Sequence, residues 1–135
     1  MQALFFFAGG TLCAARMEAI THIWSRAEVR VEGGRVSADG ETWLAALDLP
    51  MRFTRGARQV RPDVNYIVFN ELPGHAVRVD QILTRAAFEP GALHLLPPFV
   101  FAAGCQDFTH LLDMGEFLAF LIAPSALTRI LGEAA

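Results

Sequence analysis

Few residues of this chain are of a type that does chemistry, and they are scattered. Cys13 and Cys105 are the only cysteines and no C-x-x-C pair occurs, so neither a disulfide framework nor a zinc site is read from them. Cys105 stands between Gly104 and Gln106, with no His or Asn close in sequence to activate a thiol nucleophile. Ser25, Ser37 and Ser125 lack the G-x-S-x-G setting of a hydrolase elbow. All 11 basic residues are arginines, which excludes a phosphate loop ending in G-K-[ST]. His22 and His110 lie in poorly patterned segments and are expected near the surface. His94 shares a strand face with Ala92 and Leu96, where it either faces a cavity or makes a hydrogen bond in the core. Trp24, Trp43, Tyr66, Phe99 and Phe101 are candidates for the wall of an apolar pocket, with ordinary core packing as the plainer reading of each. Trp43 and Tyr66 lead that set, because each carries a polar tip that a ligand can satisfy. Arg52, Arg55, Arg58 and Arg61 fall in a stretch without an acid. They read as an anion site or, more simply, as a solvated loop.

The elements that must position these residues are short. At 135 residues, with 53% hydrophobic and 19% charged residues, the chain suits one folded domain. A net charge of −3 gives no sign of nucleic-acid binding. Residues 1–16 form a separate apolar segment ahead of a domain over residues 17–135. No basic residue precedes Arg16, unlike a secretory signal, and the segment is too short to span a bilayer. It is read as a buried first strand or as an over-extended start before Met17. A short helix is weakly suggested between Ala14 and Trp24. Glu28 to Glu32 and Arg35 to Ser37 alternate around Gly33-Gly34, which predicts a hairpin. Further strands are expected at Met51 to Thr54, Asn65 to Asn70, His75 to Asp80, Ala92 to Leu96, His110 to Leu112 and Phe117 to Ile122. Leu127, Ile130 and Leu131 have helical spacing after Pro124. No internal repeat and no membrane-spanning run is evident.

Two stretches carry a resemblance. Phe88-Glu89-Pro90-Gly91-Ala92-Leu93-His94-Leu95-Leu96-Pro97-Pro98 resembles a strand of the N-terminal cupin-like domain of AraC-type transcription regulators. Glu116 to Ile130 resembles that family's last barrel strand running into a helix. The likeness covers about Tyr66 to Glu133. It implies a mainly β fold, a cupin-like double-stranded β-helix (jelly-roll) barrel with a short C-terminal helix. The family's DNA-binding helices have no counterpart before Ala135. Metal-binding cupins carry an H-x-H pair, but His75 is followed two residues on by Val77, and their later histidine falls on Ala102. Ala92 and Phe99 also depart from the pattern.

The resemblance therefore implies a cytoplasmic module that binds a small-molecule effector and self-associates as a homodimer. It implies no metal or other cofactor, no membrane contact and no DNA binding by this chain alone. The expected ligand-binding residues are His94, Tyr66, Trp43 and Phe99, with no catalytic residue. The alternatives are a stand-alone cupin isomerase or oxygenase, the less favoured enzyme reading, and a ligand-free structural barrel.

Overall fold

The apolar N-terminal run folds back on itself. Strand β1 (Gln2–Ala8) pairs antiparallel with β2 (Thr11–Arg16), and Gly9 and Gly10 take the positive φ angles, 57° and 84°, that a two-residue hairpin turn demands. The computed structural model describes residues 1–49, 64–95 and 108–127. The other strands among them are β3 (Ile20–Ser25), β4 (Arg30–Glu32), β5 (Arg35–Ser37), β6 (Leu44–Asp48), β7 (Asn65–Phe69), β8 (His75–Val79), β9 (Ile82–Ala87), β10 (Leu93–Leu95), β11 (Phe108–Asp113) and β12 (Leu118–Ile122). The strand expected at Met51 to Thr54 and the four clustered arginines lie outside the described residues.

The strands form two six-stranded sheets, ordered β10-β11-β12-β2-β1-β9 and β3-β7-β8-β6-β5-β4. Each is antiparallel except for one central seam, β12 with β2 and β6 with β8. The coarse expectation, a mainly β barrel-like protein, describes this architecture.

The two sheets are built by one plan used twice. A hairpin (β1–β2, or β7–β8) is followed by a strand and a three-strand meander (β3 and β4–β6, or β9 and β10–β12) that join the other half's hairpin. Local detail repeats with it. Phe6 stands opposite Ile82 beside a bulge in β9, and Phe69 stands opposite Ile20 beside a bulge in β3. The Phe7 amide donates to the Gln81 carbonyl at 2.8 Å, and the Asn70 amide donates to the Ala19 carbonyl at 2.9 Å.

Period-two alternation explains why both central hairpins are apolar on both faces. Leu4, Phe6, Cys13 and Ala15 meet Ile67, Phe69, Val77 and Val79 between the sheets. Ala3, Phe5 and Ala14 turn the other way, into the curl of the first sheet, with Leu112, Ala119 and Leu121. Tyr66, Val68 and Ala76 do the same in the second sheet, with Val29 and Val36. The N-terminal segment thus lies at the centre of the fold. Its phenylalanines Phe5 and Phe6 are 1% and 0% exposed, each burial stabilising by roughly 1.5–3 kcal/mol.

No helix forms between Ala14 and Trp24; that span is the end of β2, a single 3₁₀ turn at Met17–Ala19, and β3. Pairing of Trp24 with Tyr66 and Ile23 with Ile67 takes these residues into the second sheet. The helix after Pro124 is described only as the turn Pro124–Leu127. No helix among the described residues is long and apolar enough to cross a membrane.

Candidate functional site

The second sheet curls until its edge strand β3 approaches the β5–β6 turn, and a groove of about 300 Å³ opens between them. One wall is Thr21, His22 and Trp24. The His22 and Trp24 rings stack at 5.2 Å with an interplanar angle of 14°, which stiffens that wall. The opposite wall is Asp39 and Thr42, and Val68 of β7 lines the groove with Leu44.

The turn that carries Asp39 is fixed by its own hydrogen bonds. The Asp39 carboxylate accepts from the Glu41 and Thr42 amides, each at 2.8 Å, and from the Ser37 hydroxyl at 3.0 Å. The Gly40 amide donates to Ser37 Oγ, and Gly40 takes φ 80°, a conformation that a side chain would strain. The amides of Thr42 and Glu41, with the Ser37 hydroxyl, stabilise the ionised carboxylate and lower its pKa from 3.8 to about 2. The groove therefore has a carboxylate on its rim at every physiological pH. Glu41 adds a second exposed acid beside it, and the Arg30 guanidinium lies near Gly40.

Of the residues expected to bind a ligand, the three that the structure describes, His94, Tyr66 and Trp43, do not line the groove. His94 is exposed on β10, at the edge of the first sheet, opposite Leu111. Tyr66 is buried in the second sheet, where burial raises its phenol pKa while Arg78 and Arg26 work against that rise. Trp43 is half-buried just before β6, and Phe99 lies outside the described residues, as do Phe101 and Cys105. Cys13 is wholly buried, and desolvation pushes its thiol well above the ordinary range, so it is a core residue with no nucleophilic character. Of the groove residues, Trp24 was a candidate for a pocket wall and His22 was expected only near the surface; the others were not singled out from the sequence. The available signals were the i, i+2 placement of His22 and Trp24 and the Asp39-Gly40 turn facing them.

No protein-family model matches the chain, and no curated protein sequence matches it. Among solved structures, the scaffolding protein TtCheW from Thermoanaerobacter tengcongensis matches with a TM-score of 0.78 at 15% identity, over 97% of this chain and 94% of that one. That likeness corrects the AraC-type, cupin-like resemblance and the transcription-regulator role drawn from it. A jelly roll is built from antiparallel Greek keys, whereas each sheet here turns on a parallel seam. The stretch from Phe88 to Leu95 supplies a 3₁₀ turn and a three-residue edge strand instead of the frame of an effector cavity. The small-molecule effector, the effector-linked homodimer and the cupin-enzyme alternative fall with the resemblance that implied them. The fold of this chain is the fold of that CheW structure.

Proposed function

We propose that this chain is a cytoplasmic scaffolding module that holds protein partners on the outer surfaces of its two curled sheets. The observation that carries the reading is the likeness to a scaffolding protein over 97% of this chain. Fold alone does not dictate role, so the surface has to agree. Large apolar side chains stand out on it: Leu95 is 75% exposed on the edge strand β10, Leu118 54% on β12, and Leu83 42% on the edge strand β9. Leu95 and Leu83 stand on the strands that end the first sheet among the described residues, and exposed apolar groups at such edges suit protein contact.

The test is recovery of the tagged full-length chain from its own cells after mild crosslinking. At least two proteins are expected in stoichiometric amounts, one of them lost with Leu95→Asp. A chain recovered alone, or partners indifferent to substitutions anywhere on its surface, overturns the reading.

A further inference from the structure

The twofold plan of the fold lets the two curled sheets be compared position by position. Leu4 faces Ala15 in one hairpin as Ile67 faces Val77 in the other. Across the parallel seams, Ala14 lies beside Leu121 as Ala76 lies beside Ala46. Phe5 and Val68 follow Leu4 and Ile67 directly, so they hold the same place. Phe117 and Thr42 each stand four residues before their seam residue, Leu121 and Ala46, and so also correspond. The turns agree as well. Gly115 (φ 89°) precedes Phe117 by two residues, just as Gly40 (φ 80°) precedes Thr42.

What fills this place differs between the sheets. In the first sheet Phe117 lies edge-on to Phe5, with ring centroids 5.3 Å apart and planes at 89°. Phe5 beneath it is 1% exposed, so the chain's own aromatic ring closes that mouth. In the second sheet the two positions are Val68 and Thr42, and both line the open groove of about 300 Å³. A phenyl ring fits the geometry that the fold uses once already, and the stacked His22–Trp24 wall offers it an aromatic face.

We propose that the groove of the second sheet receives an aromatic side chain from a partner protein, in the place that Phe117 fills in the first sheet. The rim selects the flanking residues. Asp39 and Glu41 lie on this turn with Arg30 beside Gly40, so among the described residues of the turn the balance is negative and favours a segment with arginine or lysine beside the aromatic. This rests on the scaffolding reading for the kind of partner, while its geometry rests on the two sheets alone.

The probe is the capped peptide Gly-Arg-Phe-Arg-Gly, titrated into the full-length ¹⁵N-labelled chain and followed by amide NMR shifts. Saturable shifts are expected at His22, Trp24, Thr42 and Val68. The counterpart with alanine for phenylalanine should bind at least about tenfold more weakly, because the buried anchor carries most of the contact energy. Thr42→Phe should rebuild the closed mouth and weaken the parent peptide by a similar factor, with a cooperative melt showing that the variant is folded. Should that variant fail to fold, the peptide pair on the unsubstituted chain decides the matter. Equal binding of the two peptides, shifts that map to another face, or absence of saturable shifts overturns the proposal. So do shifts at the groove that follow protein concentration alone, which would assign it to a second copy of the chain. Unchanged recovery of all cellular partners by a folded Thr42→Phe chain sinks the groove assignment and leaves the scaffolding reading standing.

Discussion

Asp39 shows how one exposed residue can matter without being buried. Its carboxylate gathers two amides and a hydroxyl, and those bonds, made to the charged form, bring its pKa from 3.8 to about 2. Because the folded value is the lower one, the stabilisation is complete above about pH 3.8 and is lost as the pH falls through 2. Asp39→Asn keeps an acceptor oxygen and removes the charge. Thermal melts should therefore show the natural chain more stable than the variant at pH 7, with the gap closing as pH approaches 2. A gap that is independent of pH would mean that the charge contributes nothing to the turn. None of this was legible beyond the turn itself: Asp39-Gly40 announces a reversal of the chain, but not which amides the carboxylate will gather. His94 illustrates the opposite case. Its alternation with Ala92 and Leu96 suggested an inward face, yet β10 is an edge strand of only three residues, and the side chain is exposed.

At the scale of elements, the local pairings could be read and the distant ones could not. Gly33-Gly34, with φ of 54° and 76°, sets Val31 opposite Val36 as the alternation around it requires. The β7 run is equally plain, since its apolar residues fill both faces, and β8 alternates with Val77 and Val79 inward. The seams β6–β8 and β12–β2 join segments far apart in sequence, and no turn residue specifies their register. The stretch around Phe88 to Pro98 misled for the same reason: a turn, a short strand and prolines fit many β folds. Phe5 and Phe117, from distant elements, give a measurable consequence of such a long-range contact. Phe5→Ala empties a fully buried site and should cost about 3–5 kcal/mol. Phe117 is 40% exposed, so Phe117→Ala should cost only about 1–2 kcal/mol, mostly the lost ring pair. Urea denaturation of the two variants measures both values, and a Phe117→Ala loss as large as that of Phe5→Ala would contradict the edge-on lid.

The whole molecule is held together by exchange between its halves. The hairpin β1–β2 needs β9 and β12 beside it, and the hairpin β7–β8 needs β3 and β6. Neither half can complete a sheet alone, and the central cluster draws Phe6 and Ala15 from one half and Phe69 and Val79 from the other. Local unfolding of one half would strip the other's hairpin of its flanking strands and expose that cluster. Heat unfolding should therefore be a single transition with equal calorimetric and van't Hoff enthalpies. Division of the chain between Arg55 and Gly56 provides the sharper test. Each fragment keeps one hairpin and one meander but loses every partner that the sheet order gives to them. Circular dichroism should show both fragments largely unfolded when separate. Mixed in equal amounts, they should recover strand structure, with a melting temperature that rises with concentration, as mass action requires of a two-part complex. A fragment that melts cooperatively by itself would mean that each half folds independently and that the interlocking of strands follows folding instead of driving it.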